Sequence, residues 1–170
     1  MAKTKAGRTF AIRPATNDDV GAIVGIYNWA VNQTFATIDS EALSAEEAAD
    51  WWETHARRSR LIVATDDSGV IGWARLFPWK QRGIDVVEDL VYVDPVHHGQ
   101  GIGAALLTEL TSEARGLGYL TIVASVAKDN RAGLALFTRQ GFEVVGTIRN
   151  AANKFDRWMD ITLMQRSLEG

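Results

Sequence analysis

Two acidic residues, Glu88 and Asp89, precede three alternating glycines, Gly99, Gly101 and Gly103, in the run 86–104, VVEDLVYVDPVHHGQGIGA. A carboxylate can take a proton from a nucleophile, and glycines at a turn let several backbone N–H groups point outward unobstructed. A helix opening at such a turn adds about half a positive charge at its N-terminus, and a diphosphate suits the resulting nest. A glycine-rich turn that only starts a helix has the same spacing. Two nucleotide motifs fail against these residues. A P-loop ends in Gly-Lys-Ser/Thr, where this chain has Gly101-Ile102-Gly103. The dinucleotide fingerprint is formally met by Gly99, Gly101 and Ala104, but residues 94–98 intervene after the strand and residues 119–125 hold no acid for a ribose.

The elements that must position this stretch follow from periodicity. Residues 9–13 read as a strand, and Thr16 with Asp19 opens a helix carrying Val20, Ile23, Val24, Tyr27 and Val31 to about Asn32. Residues 33–43 read as a loop, and Ser44 with Glu47 opens a second helix through Trp51, Trp52 and His55, ending near Arg57 and Arg58. Residues 61–64 and 70–77 form a hairpin pattern, and 86–93 is a further strand. Ala104, Leu106, Leu107 and Leu110 give residues 103–116 a helical stripe, and 121–126 is a β-branched strand. A short helix over 130–139 closes at Gly141, and 142–148 and 154–164 are two final strands. The expectation is one mixed α/β sheet of about seven strands with about four helices on its faces.

Composition bounds the function. A chain of 170 residues with 46% hydrophobic content suits one domain, taken as 9–168 with 1–8 as a tail bearing Lys3, Lys5 and Arg8. Eighteen basic against 21 acidic residues leave a net charge of -3, which gives no general attraction for nucleic acid. No apolar stretch is long enough for a bilayer and the first residues lack a signal peptide's apolar region, so no membrane partner is expected. With no cysteine there is no disulfide, thiol nucleophile or thiolate metal site, and a cytoplasmic location is the default. His97, His98 and the distant His55 make no metal spacing, and the adjacent pair reads as solvated loop residues.

Strand, D-P-x-x-x-G-x-G-x-G, helix and strand, then Asn130-x-Ala132 and Leu136-Phe137-x-x-x-Gly141-Phe142, together resemble the GNAT superfamily of acetyl-CoA-dependent N-acetyltransferases. The resemblance runs from Ile12 to about Met164. It is strongest to the phosphinothricin and methionine sulfoximine acetyltransferase group, through Thr34-Phe35, Trp79-Lys80, Glu88 before Val91-Tyr92-Val93, and residues 154–160. It implies a mostly antiparallel sheet and acetyl-CoA as cosubstrate, with no metal. His98 takes the first position of the family's Q/R-x-x-G-x-G/A turn. By the resemblance, the amides of Gln100, Gly101, Ile102, Gly103 and Ala104, beside Gly99, would hold the CoA diphosphate. Leu90, Val91, Tyr92 and Val93 would pair with the pantetheine arm, which Asn130 would help seat.

The resemblance also implies Glu88 as the base that activates an amine. Deprotonating a lysine-like amine at pH 7 costs about 4.6 kcal/mol, and a peptide α-amine only about 1.4 kcal/mol. Without the resemblance, Glu88 reads as a strand-end carboxylate in solvent, with Asp89 on the opposite face unless a bulge exchanges them. Where family members carry a tyrosine or histidine as acid, this chain has Phe137, also beside the cofactor. Residues 82–85 lack the family loop's tyrosine. Candidate substrate contacts are Phe35, Trp79, Lys80, Lys154 and Trp158, together with Arg75, which is unusual within the apolar strand GWARLF. The expected substrate is a small, amino-acid-like amine, and the expected assembly is a homodimer. A CoA-binding sensor without efficient turnover is the competing reading, motivated by Phe137.

Overall fold

Buried runs of valine, isoleucine and aromatic residues must satisfy their backbone laterally, so they pair as strands. The computed structural model describes residues 2–3, 7, 9–55, 60–79 and 85–169. Its elements are β1 (Ala2–Lys3), β2 (Thr9–Pro14), α1 (Val20–Gln33), α2 (Ala45–His55), β3 (Arg60–Asp66), β4 (Gly69–Pro78), β5 (Val86–Val93), α3 (Ile102–Gly116), β6 (Thr121–Ala127), α4 (Arg131–Arg139), β7 (Glu143–Lys154) and β8 (Arg157–Ser167). They form one sheet in the order β1-β2-β3-β4-β5-β6-β8-β7. Among the described residues, only β5 and β6 pair in parallel. That pair needs a long crossover, and α3 supplies it.

Side-chain alternation gives the sheet two cores. On one face Ile62, Ala74 and Ile122 meet Leu106 and Leu110 of α3, with Phe137 and Phe142 at the same cluster. On the other, Leu61, Val63 and Trp73 lie under Ile23, Ile26 and Ala30 of α1, flanked by Trp51 of α2. Trp73 is the hub of that face, with its ring centroid 4.9 Å from Tyr92 and 6.0 Å from Trp51. Tyr27 meets Tyr92 edge-on at 5.5 Å. Among the described residues, no helix is long and apolar enough to cross a membrane.

Three departures from the sequence pattern have local causes. Ala2 and Lys3, read as part of a tail, pair with Phe10 and Thr9. Lys5, Arg8, Arg57 and Arg58 lie outside the described residues. The last two strands are longer than their apolar runs: β7 and β8 form a continuous hairpin closed by Phe155 and Asp156, with φ of 51° and 56°. Two successive positive φ angles are the signature of a tight hairpin turn that usually recruits Asn-Gly, so neither residue announces it. Asn150, also at positive φ, marks the register shift between Ile148 and Ala152, where its backbone N–H donates to Asp160 Oδ1 at 3.1 Å.

The start of α1 is clamped as its sequence suggests. Asp19 accepts from the Thr16 backbone at 2.8 Å and takes a bidentate pair from Arg13 at 2.7 and 2.8 Å. The Arg13 hydrogen bonds hold the buried carboxyl at a pKa of about 2. A depressed carboxyl pKa stabilises the fold above its unfolded value, and that contribution is lost as pH falls through the folded one. Asp19→Ala is therefore expected to cost about 2 kcal/mol at pH 7. In urea unfolding, the gap between wild type and variant should close as pH is lowered from about 4 to about 2.

Candidate active site

The parallel ladder joins Val86, Val87 and Glu88 to Thr121, Ile122 and Val123, and there it ends. Beyond it β5 keeps β4 as far as Val93, and β6 keeps β8 as far as Ala127. The two strands part, so from Asp89 onward alternate residues of β5 turn N–H and C=O groups into a crevice rather than into a ladder. The β4–β5 register is regular, pairing Phe77 with Glu88, Leu76 with Asp89, Arg75 with Leu90 and Trp73 with Tyr92. Glu88, Leu90 and Tyr92 thus share the α1/α2 face with Phe77, Arg75 and Trp73, while Asp89, Val91 and Val93 face α3 and α4.

Glu88 is half-buried, and its Oε1 accepts a hydrogen bond from Ser125 Oγ at 2.7 Å across the mouth of the crevice. Ser125 escaped the sequence analysis. Its signal was alternation: residues 123, 125 and 127 share a face with Glu88 once Glu88 pairs with Val123. Arg75 is buried, its guanidinium carbon 4.9 Å from the Phe77 ring and 5.6 Å from Trp51, and burial pulls its pKa down to about 10. It is the diagonal cross-strand neighbour of Glu88, a spacing of about 7–8 Å. Burial also raises the Tyr92 hydroxyl pKa, against a hydrogen bond with Thr37 that lowers it.

At the far end of β5 the chain turns into α3 through Gly99 and Gly101, at φ of 74° and 93°. A Cβ at either position would meet no atom within 4 Å, so the space above the turn is open. The first bond of the helix runs from Ala105 N–H to the Gly101 carbonyl, and no side chain caps the end. The amides of Ile102, Gly103 and Ala104 are left for something else. Other helix starts are served: Ser44 and Glu47 cap α2 reciprocally, and Asn130 Oδ1 accepts from Gly133 N–H at 2.9 Å in α4.

The side chains around the turn are occupied in holding it. His98 Nε2 lies 2.9 Å from the Val93 carbonyl, which can only accept, so Nε2 carries the proton, and its ring meets Trp29 edge-on at 5.7 Å. Gln100 Nε2 donates to the Val96 carbonyl at 3.2 Å. His97 is not solvated as its sequence position suggests. A short helical turn over Pro95–His97 turns it inward, with Nε2 3.6 Å from Asp66 and Nδ1 3.7 Å from Asp94. Phe137 is buried against Phe142 at 5.0 Å and offers no proton.

The substrate candidates separate. Phe35 packs on Ala127, Met159 and Ile161, on the side of the sheet that carries Ser125. Trp79 is half-buried and continues the Phe77 side of β4, its backbone N–H reaching the Val86 carbonyl at 3.2 Å. Lys154 is no solvated cation: it is 2% exposed and donates to the Thr37 carbonyl at 3.0 Å, tying the end of β7 to the loop after α1. Burial lowers its pKa, opposed by the Asp39 charge. Trp158 is 65% exposed and points to the opposite side of β8 from Met159. Lys80 and residues 82–84 lie outside the described residues. An open groove of about 600 Å³ between α1 and α2 shares none of these site residues, and Glu53 is the one ionisable group on its walls. Among the described residues, no cluster of His, Asp and Glu could hold a metal ion.

A family model described as Acetyltransferase (GNAT) family matches residues 23–142. The chain is 35% identical to the L-amino acid N-acyltransferase MnaT of Escherichia coli, over 94% of each protein. It is 36% identical to an L-methionine sulfoximine/L-methionine sulfone acetyltransferase of Pseudomonas aeruginosa, over 94% of this chain and 95% of that protein. A crystal structure of a GNAT superfamily phosphinothricin acetyltransferase from Sinorhizobium meliloti, in complex with acetyl-CoA, superposes with a TM-score of 0.85. It is 32% identical and covers 94% of this chain and 88% of that one.

The uncapped, glycine-opened start of α3 generates a direct test. Gly101→Ala forces a side chain into left-handed backbone and into the open space above the turn, at a cost of about 1 kcal/mol in stability. Titration calorimetry should show affinity for a diphosphate-bearing ligand such as CoA falling at least tenfold, whereas Gly116→Ala, at the other end of the helix, should leave it unchanged.

Proposed function

The chain belongs to the acetyltransferase (GNAT) family, and on that premise we propose that it transfers the acetyl group of acetyl-CoA to the amine of a small, amino-acid-like substrate, with Glu88 as base. The observation that carries this reading is the parting of β5 and β6 at Glu88, which opens a crevice between a carboxylate and an uncapped helix start. The residues fit the cosubstrate. Amides of Ile102, Gly103 and Ala104, with the open space at Gly99 and Gly101, would take the diphosphate. Backbone groups of Leu90, Val91 and Tyr92 would pair with the amide-bearing arm, and Asn130 has its side-chain nitrogen left for the same arm while its oxygen caps α4. Acetyl-CoA supplies an activated acyl carbon and a thiol leaving group.

The chain's own residues then divide the work. Glu88 takes the proton of the attacking amine, directly or through a water, and Ser125 holds the carboxyl at the crevice mouth. Amides of β5 beyond the ladder supply donors for the oxygen that gains charge during attack. Arg75, diagonal to Glu88, suits the carboxylate of an amino acid whose amine lies at Glu88. Phe35, Phe77 and Trp79 provide apolar contact for the rest of the substrate. The sensor reading is not favoured, because the relatives compared are named as acyltransferases.

We also propose a homodimer. β7 is the terminal strand of the sheet and is exposed along nearly its whole length, with Val144, Val145 and Ile148 each more than half exposed. A long apolar edge of this kind invites a second copy.

Four measurements test these points. Mass spectrometry of an amino-acid panel incubated with acetyl-CoA should show N-acetylated products; CoA binding without any product would remove the proposal. Glu88→Gln should lower turnover about 100-fold, most at low pH and for amines of high pKa, with CoA affinity intact. Arg75→Met should raise KM about 10–100-fold for amines carrying a carboxylate and leave carboxylate-free amines unaffected. Light scattering should give twice the chain mass, falling to one chain in Ile148→Lys.

A further inference from the structure

Asp89 has no part in the chemistry described so far. It is 2% exposed, and neither carboxyl oxygen has a hydrogen-bond partner. It is also the first residue of β5 past the ladder with β6, on the α3/α4 face. A buried carboxylate without one hydrogen bond is an expensive state, so the neutral acid is the form the fold accommodates. Burial pushes its pKa well above the usual carboxyl range and the Glu88 charge adds to the shift, against the residue's own backbone N–H, which lowers it without reaching hydrogen-bond geometry. No cation faces it among the described residues: the flanking strands present Leu76 and Ile122, and the buried residues of α3 and α4 include no titratable side chain. The acid O–H therefore has no acceptor among the described residues. An unmatched buried donor is destabilising and asks for an explanation.

We propose that Asp89 is the proton donor to the departing thiol, taking the role that Phe137 cannot. The proposal rests on the acetyl-transfer reading above. Both residues lie on the α3/α4 face, and Asp89 stands where the crevice begins. As the C–S bond breaks, its electron pair leaves with sulfur, and the Asp89 O–H proton moves to that sulfur to give the free thiol. Asp89 is left as a carboxylate and regains a proton from water once the crevice empties. Glu88, which took one proton from the amine, releases it to solvent, so the cycle is balanced. A carboxyl kept neutral by burial has a proton to give as the thiol departs. Without a donor, a thiolate would be expelled beside the Glu88 carboxylate.

The test uses Asp89→Asn, which keeps size and neutrality but has no acidic proton. Turnover should fall about 10–100-fold with acetyl-CoA affinity and melting temperature retained; wild type should show an alkaline decline of kcat, and the variant should lack it. Independently of turnover, the infrared difference between ligand-free wild type and Asp89→Asn at pH 7 should contain a protonated-carboxyl band. An unchanged kcat and pH profile, or the absence of that band, overturns the proposal. So does a variant whose losses in kcat, CoA affinity and melting temperature run in parallel while the alkaline limb persists, since that describes a residue needed only for folding. A wild-type protein that acetylates no amine would instead bring down the acetyl-transfer reading itself, before any variant is compared.

Discussion

Two strands that run parallel for three residue pairs and then part leave backbone donors and acceptors facing a gap, and a folded protein does not leave such groups dry and unmatched. At this gap water or a ligand with amide groups must serve them, and the residues at its mouth are there because of it. Glu88 is the last β5 residue of the ladder, and its hydrogen bond from Ser125 reaches across the first step of the separation. His98 satisfies the Val93 carbonyl at the other end, so the open length of strand is bounded at both ends. The crossover that makes the pair parallel also delivers the start of α3 beside the end of β5. The same topological requirement thus produces the crevice and the anion site.

Strand alternation then sorts the chemistry. Glu88 and Asp89 are neighbours in sequence yet face opposite cores, one hydrogen-bonded to a hydroxyl on the face that carries Arg75, the other among apolar side chains. Equal side-chain chemistry acquires unequal character from surroundings alone. The α1/α2 face is correspondingly built of aromatic and polar groups: Trp51 and Phe77 flank Arg75, Trp73 packs on Tyr92, and Lys154 ties the loop after α1 down through the Thr37 carbonyl. The α3/α4 face is a packed aliphatic core with Phe137 sealed into it, which is why that ring is a packing residue.

Much of this was legible from residue order. The capping pairs Thr16–Asp19 and Ser44–Glu47, the hairpin at Asp66–Gly69 and the strand at Val86–Val93 stand where their patterns put them, because each depends on neighbours within a few positions. Most of the side-chain misses depend on distant partners. Lys154 looks like a surface cation until a carbonyl 117 positions away accepts its proton. His97 looks solvated until two carboxylates close around it, and Ser125 is one unmarked residue of a β-branched strand until β5 brings Glu88 within 2.7 Å. The β7–β8 turn is unreadable because Phe155 and Asp156 adopt left-handed backbone without the usual residues, with Phe155 packed edge-on against Phe35 at 5.3 Å.

Residue order alone sets the succession of elements, the glycine turn before α3 and the adjacent acids on one strand, since periodicity, capping and glycine's tolerance of positive φ are local properties. Folding settles where β5 leaves β6, which acid meets a hydroxyl and which meets none, and which cations are buried. Those outcomes are set by pairing register and burial, and both are properties of strands and faces brought together from across the chain.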